Sequence, residues 1–117
     1  MPDSHPALDR GLALERTGGD AELLRELADL FLAEYPAQLA ALSTAVERGD
    51  AREVDRSAHM LKGSVANFGA VAAVQALSAL EEAVRTRDLG GCEPTLLELH
   101  CVMAALRIEL SEMSRST

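Results

Sequence analysis

Residues 50–69 constrain the fold more strongly than any other part of the chain, and their sequence is DAREVDRSAHMLKGSVANFG. Apolar residues recur in this segment at alternating steps of four and three, at Val54, Ala58, Leu61, Val65 and Phe68. Such spacing is typical of an α-helix that turns one stripe of side chains towards a hydrophobic core. The segment therefore predicts an amphipathic helix with one buried face.

The other face of this predicted helix carries polar and small residues. At about 100° per residue, the side away from the apolar stripe holds Arg52, Asp55, Arg56, His59, Lys62, Gly63 and Ala66. His59 is therefore expected to face solvent. Gly63 lies in mid-helix, where glycine costs about 1 kcal/mol relative to alanine, although the pattern indicates no bend. An exposed imidazole, a lysine and a position without a side chain together indicate a surface that another molecule approaches closely.

Length and composition indicate a single helical domain, residues 1–117, with loose ends expected at residues 1–6 and 114–117. Hydrophobic residues make up 48% of the chain and aromatic residues 3%. The core must then be built mainly from Leu, Val and Ala, which suits close helix packing better than a sheet. We expect an all-α fold.

The apolar stripes and short connections predict an antiparallel up-down-up-down four-helix bundle with a short additional N-terminal helix. Gly49 suits a left-handed helix end, and Asp50 with Glu53 forms a capping arrangement for the helix that follows. The first four expected helices are residues 7–16, 20–48, 50–69 and 70–88. The second is expected to bend at Pro36, with a break into two helices there as the alternative. A final helix is expected after a loop at Gly90 and Gly91, with Pro94 in its first turn.

Charge and apolar runs narrow the class of partner. The formal net charge of −8 argues against nucleic acid or an anionic membrane. No apolar run approaches the roughly 18 residues of a membrane span, and the N-terminus lacks a signal-peptide layout. We therefore expect a cytoplasmic protein that does not insert into membranes.

The cysteines and the remaining histidines do not suggest a metal site. Cys92 and Cys101 have no metal-ligand spacing and are expected to be free thiols, with Cys101 a small core residue. His5 and His100 also lack partner spacing, so both are expected to be structural.

The residues around His59 carry a family resemblance. The run His59-Met60-Leu61-Lys62-Gly63-Ser64, followed by Gly69 and Ala70, resembles the H-x-L-K-G-S signature of histidine-containing phosphotransfer (HPt) domains. The similarity extends from about Leu8 to Leu110. A Phe-rich entry helix with a mid-helix proline, a Gly-Asp pair before the histidine helix and a Leu-Glu pair on the next helix follow the family order.

The resemblance implies a four-helix bundle in which His59 carries a phosphoryl group between aspartates of receiver domains. Lys62 and Arg56 are expected to neutralise the phosphoryl charge. A receiver would dock over Gly63, Ala66 and Arg52. The implied partners are response-regulator receivers and a sensor kinase, with Mg²⁺ supplied by the receiver, no cofactor on this chain, and the chain itself a monomer.

Position 81 departs from the pattern of some family members. These members have a Gln 22 residues after the histidine, which helps to orient the imidazole, whereas this chain has Glu81 there. Glu81 either accepts a hydrogen bond from the second ring nitrogen of His59 or lies at the surface.

Other enzyme classes find little support in the sequence. There is no Glu-x-x-His pair of the di-metal bundle type and no Walker or dinucleotide glycine loop. The chain is therefore expected to have no kinase activity of its own. Two alternatives to a free phosphorelay intermediate stay open: a helical docking module that is never phosphorylated, and the phospho-accepting domain of a chemotaxis-type or hybrid sensor kinase.

Overall fold

The computed structural model describes residues 7–86 and 89–115, with the backbone alone at 89–91. Within these ranges it contains helices and no strand, which confirms the predicted all-α fold. The helices are α1 (Arg10–Arg16), α2 (Ala21–Arg48), α3 (Ala51–Ala66), α4 (Val71–Arg85) and α5 (Leu89–Arg115).

The four long helices form a bundle in which each helix packs against two neighbours. α2 contacts α3, α3 contacts α4, α4 contacts α5, and α5 contacts α2, so α3 and α5 occupy diagonal corners. Two polar contacts show that α2 and α5 run in opposite directions. Ser43 lies 3.1 Å from Nε2 of His100 near one end, and Ser114 donates to Asp29 near the other. The short α1 packs against α2 at the bundle end.

Capping residues fix where the helices begin. The Asp50 side chain accepts a hydrogen bond from the backbone N–H of Glu53 at 3.1 Å, as the sequence predicts. Asp20 caps α2 in the same way through the N–H of Leu23. Gly49 ends α2 in the left-handed region at φ 67°, which is also confirmed. The turn between α2 and α3 is therefore short, and the two helices are antiparallel neighbours.

The long second helix continues through Pro36 without a break, so the prediction of a single helix there is confirmed. The tertiary packing explains this continuity. Phe31, Tyr35 and Leu39 are all buried on either side of the proline, and their shared contact with the core favours the helix although one backbone donor is lost.

Other predicted boundaries are wrong by several residues. α1 begins at Arg10 rather than at residue 7, and α3 ends at Ala66, before the turn that contains Gly69. α4 ends at Arg85; the predicted end at Asp88 lies outside the described residues, as do His5 and the loose segment 1–6.

The beginning of α5 is the largest departure from the expected boundaries. Gly90 and Gly91 belong to the helix rather than to a loop, and Pro94 is the sixth helical residue instead of a first-turn residue. Cys92 is buried in this first stretch, and its packing favours helix over the turn that two glycines suggest. At the other end, α5 continues through Arg115, two residues into the segment expected to be loose.

The prediction that Cys101 belongs to the core is also wrong. Cys101 is exposed, whereas Cys92 is buried. The buried side of α5 is set by Leu99 and Met103. Two residues after Leu99, the helix has turned by about 200°, which places Cys101 on the opposite side.

The segment before α1 is fastened to the ends of α3 and α5. The backbone N–H groups of Ala7 and Leu8 donate to the Glu109 carboxylate at 2.9 Å each. The N–H of Asp9 donates to the carbonyl of Phe68 at 2.9 Å. Gly69 follows in the left-handed region at φ 63°, and a Cβ built on it would lie 2.6 Å from Cβ of Asp9. The close approach of these two backbones requires glycine at position 69.

We expect Gly69→Ala to destabilise the fold more than Gly49→Ala does. Both residues have left-handed backbones, at φ 63° and 67°, but a Cβ at Gly49 would meet no atom within 4 Å. Gly49→Ala should lower the free energy of unfolding by about 1–2 kcal/mol from backbone strain alone. Gly69→Ala should add roughly 1–3 kcal/mol from the contact with Asp9. Urea unfolding measures both, and equal losses would contradict the close packing at Gly69.

Candidate functional site

His59 lies on the solvent face of α3, as the sequence predicts. The opposite face of the helix is fully buried, with Val54, Ala58, Leu61 and Val65 each at 0% exposure. This burial fixes the rotation of α3 about its axis and leaves His59 exposed. Its ring makes no hydrogen bond or ion pair with any residue that the structure describes. One imidazole is thus presented to solvent from a rigid helix.

Gly63 leaves open space one turn after His59. A Cβ built on Gly63 would meet nothing within 4 Å, and its backbone has an ordinary helical φ. Neither a neighbouring side chain nor the backbone conformation therefore requires glycine here. The half-buried Ala66 continues the same side of the helix one turn further on. Together they form a shallow surface beside the imidazole, which a large side chain would obstruct.

Lys62 forms an ion pair across the interface between α3 and α4. Its Nζ lies 2.6 Å from Oε1 of Glu81, and the side chains are 28% and 16% exposed. Glu81 thus takes neither role expected from the sequence, since it contacts the lysine rather than the ring of His59 and is largely covered. The pair is more shielded than a typical surface ion pair, so its attraction is less weakened by water.

Arg56 is also paired, one turn before His59. Its Nε donates to Oε1 of Glu53 at 3.1 Å and its Nη2 to Oε2 at 2.5 Å, while Nη1 lies 3.5 Å from the sulfur of Met60. The hydrogen bond from Arg56 lowers the pKa of the Glu53 carboxyl, and the same bond raises the pKa of the arginine. The pair consequently remains charged at neutral pH.

Most of the positive charge near His59 is already paired with carboxylates. The sequence predicts three cations, Arg52, Arg56 and Lys62, around His59. Two of them already have carboxylate partners. Arg52 is exposed and makes no ion pair within residues 7–86 and 89–115. The face around His59 is therefore close to charge balance, with Arg56 and Lys62 held in place by their carboxylate partners.

Met60 is a surface residue that the sequence analysis did not single out. It is 48% exposed directly beside His59. Its carbonyl accepts a hydrogen bond from the hydroxyl of Ser64, one turn further along the helix, at 3.3 Å. The signal was present in the sequence, because Met60 falls outside the apolar stripe of α3. An exposed, flexible apolar side chain is typical of protein contact surfaces.

Two kinds of feature were sought in the described part of the chain, a group of metal ligands and a membrane-spanning helix. No group of three or more His, Cys, Asp or Glu side chains there is placed to hold a metal ion. None of its helices is both long and apolar enough to cross a bilayer. His100 is exposed and interacts with Ser43.

Comparison with known proteins agrees with the fold and with the region of the site. The family model of the Hpt domain matches residues 26–115, a range that contains α3 and α4 complete. No curated protein matches the chain. Among solved structures, the crystal structure of histidine-containing phosphotransfer protein B (HptB) from Pseudomonas aeruginosa PAO1 matches with a TM-score of 0.86 and 25% identity, covering 97% of this chain and 99% of that one.

The agreement covers both the sequence and the bundle. The matched range spans most of the chain and includes the exposed histidine, and the structural match extends over nearly the full length of both proteins. The chain therefore belongs to the Hpt domain family, the histidine phosphotransfer proteins of phosphorelays.

Proposed function

We propose that His59 accepts a phosphoryl group from a receiver-domain aspartate and passes it to another. The observation that carries this proposal is the position of the imidazole. It is exposed on the outer face of α3, has no partner among the described residues, and lies beside the open surface at Gly63. His100, also exposed, instead faces Ser43 on a different side of the bundle.

The transfer is an in-line displacement at phosphorus. One ring nitrogen of neutral His59 offers its lone pair to the phosphorus atom while the other nitrogen keeps its proton. The new N–P bond forms as the O–P bond of the acyl phosphate breaks, and the aspartate leaves as a carboxylate. The reverse reaction delivers the phosphoryl group to a second receiver. This chain contributes a rigidly held nucleophile.

The partner supplies the remaining chemistry. Mg²⁺ bound in the acidic pocket of the receiver would neutralise the phosphoryl oxygens during transfer. We propose no kinase activity for this chain, because Hpt domains are relay intermediates. The phosphoryl group would therefore come from a receiver or from a sensor kinase, including a hybrid one.

All of the proposed site lies on one chain, so a monomer suffices for transfer. The cytoplasmic location stays a prediction.

Docking is proposed over the surface around His59. Gly63 and Ala66 offer a low surface, and Met60 offers an apolar contact. Arg52 offers a cation that has no ion pair among the described residues. The acidic pocket of a receiver would approach Arg52 favourably. A module that only docks, without being phosphorylated, would use the same surface but would not require a nucleophile at its centre.

Lys62 and Arg56 are proposed to neutralise the phosphoryl group once it is on His59. Lys62 can approach the phosphoryl group only by giving up part of its contact with Glu81, which lies 2.6 Å away. Glu81 therefore competes with the phosphoryl group for the lysine. The competition limits how strongly the phosphorylated form is stabilised, which favours onward transfer.

We expect His59→Gln to abolish phosphoryl uptake. Incubation of the native chain with a phosphorylated receiver should add one acid-labile, base-stable phosphoryl group, and the variant should gain none, because the nucleophilic nitrogen is missing. Circular dichroism should show unchanged helicity, since the side chain is exposed. His100→Gln is the matched control and should accept normally. Label retained in His59→Gln would assign the acceptor elsewhere.

We expect Lys62 and Glu81 to affect the lifetime of the phosphorylated form in opposite directions. Lys62→Ala should shorten it, and Glu81→Gln should lengthen it by about two- to fivefold, the range of a pair worth roughly 0.5–1 kcal/mol. The double variant should behave like Lys62→Ala, because Glu81 acts through the lysine. A lifetime in Glu81→Gln that is unchanged from the native chain would contradict the competition.

We expect Gly63→Gln to raise stability and to reduce transfer. A good helix former replaces a mid-helix glycine in open space, so the free energy of unfolding should hold or increase by up to about 1 kcal/mol. Transfer from receivers should fall by at least about tenfold, because the new side chain stands on the docking surface. Phosphorylation by a small donor such as phosphoramidate should be much less affected.

The control for this prediction is Ala105→Gln, at an exposed position on α5. Normal transfer by Gly63→Gln would make Gly63 incidental.

A further inference from the structure

Asp55 lies one turn before His59 on the exposed face of α3, and both side chains are exposed. Residues four apart on a helix are neighbours, with their Cβ atoms about 5–6 Å from each other. The other carboxylates on the adjacent turns of α3 and α4 already have cationic partners, in the pairs Glu53–Arg56, Glu81–Lys62 and Glu82–Arg85. Asp55 forms no ion pair within the described ranges. It is therefore the free carboxylate closest in sequence to the imidazole.

The direction of side chains on a helix brings the ring of His59 towards Asp55. Each Cα–Cβ bond tilts towards the N-terminus of the helix, so a large side chain covers the turn before its own Cα. For His59 that turn carries Asp55 and Arg56. Arg56 can only donate, and it donates to Glu53. Asp55 is thus the side chain on this turn that can accept a hydrogen bond from the ring.

We propose that Asp55 is a positioning residue for His59, an inference that rests on the transfer proposed above. Its carboxylate accepts a hydrogen bond from Nδ1–H, the ring nitrogen nearer the backbone, and the lone pair of Nε2 then faces outward. A carboxylate partner of this kind fixes both the tautomer and the orientation of a histidine. The ring has no partner in the free chain, where water competes for both groups, so there the bond is transient. A docked receiver excludes water and strengthens it.

The carboxylate assists the transfer because positive charge develops on the ring. Nε2 forms the N–P bond while the O–P bond of the aspartyl phosphate breaks, and the receiver aspartate leaves as a carboxylate. The ring keeps its proton on Nδ1 and becomes an imidazolium. Asp55 stabilises that charge more strongly in the transition state than it stabilises the neutral ring. No proton leaves the ring, so Asp55 acts through its charge and its hydrogen bond alone.

A surface acid without this role would have the opposite effect on transfer. An isolated carboxylate beside His59 repels both the acidic pocket of a receiver and the phosphoryl group. Its removal would then speed docking and transfer. The direction of the change in the maximal transfer rate therefore separates the two interpretations of Asp55.

Nitrogen-15 NMR of the free chain tests the hydrogen bond without any transfer. At about pH 8.5, where an imidazole is neutral, the ring shifts give the ratio of the Nδ1–H form of His59 to the Nε2–H form. Asp55→Asn should lower this ratio by about twofold, as expected for an exposed pair on a helix. Asp55→Glu keeps the acceptor and should restore most of the ratio. An unchanged ratio in Asp55→Asn would overturn the proposal.

The matched control is Glu26→Gln, which removes the same charge from an exposed position on α2. Glu26 precedes Phe31, whose ring lies 5.4 Å from that of Phe68, just beyond the end of α3. It is therefore remote from His59, and the control should leave the tautomer ratio unchanged.

Transfer rates at several concentrations of a phosphorylated receiver test the consequence. Asp55→Asn should lower the maximal rate by about tenfold, the lower end of the loss that follows removal of the carboxylate partner of a metal-binding histidine. KM should hold or fall, because a repulsive charge is gone. Asp55→Glu should recover most of the rate, and Glu26→Gln should match the native chain. A maximal rate in Asp55→Asn at or above the native value would overturn the positioning role, whereas a native chain that accepts no phosphoryl group would refute the transfer itself.

Discussion

Burial of the apolar stripe of α3 is the constraint on which the rest of the site depends. Val54, Leu61 and Val65 are completely buried, and each such side chain stabilises the fold by about 1.5–3 kcal/mol relative to exposure. A rotation of α3 by one residue position, about 100°, would expose this stripe and turn the polar face into the core. The orientation of His59 therefore follows from packing on the far side of its helix, without any contact of its own.

In the proposed transfer, the ion pairs around His59 would let the chain accept a phosphoryl group without holding it too tightly. Unpaired cations beside the imidazole would stabilise the phosphorylated form strongly and slow its discharge. In this chain Lys62 is engaged by Glu81 and Arg56 by Glu53, so each cation must be drawn from an existing partner. Under the role proposed for His59, this competition would keep the energies of the phosphorylated and free forms close, which transfer in both directions through the same nitrogen requires.

Local patterns in the sequence predict the helices and the direction in which each one faces. The buried stripe of α3, the cap at Asp50 and the left-handed Gly49 all depend on residues within one or two turns of each other, and all three predictions hold. Periodicity also places His59 and Gly63 on the exposed face, because both positions follow from the spacing of Val54, Leu61 and Val65.

Features that depend on two helices at once could not be predicted in this way. The partner of Glu81 is Lys62, across the α3–α4 interface, and no pattern within either helix specifies that contact. The beginning of α5 was missed for a similar reason. Two glycines and a proline are typical of a loop by themselves, but the buried Cys92 is held by packing that the local sequence does not show. Where tertiary contacts outweigh propensity, the local pattern predicts the wrong boundary.

The exposure of Cys101 changes the number of apolar sides on α5. With Cys101 assigned to the core, α5 has a single apolar side and the chain has no reason to associate. With Cys101 exposed between Leu97 and Ile108, the helix has two apolar sides, of which the bundle covers one. An exposed apolar stripe lowers solubility unless it has a partner, whereas the acidic surface of the chain opposes indiscriminate association.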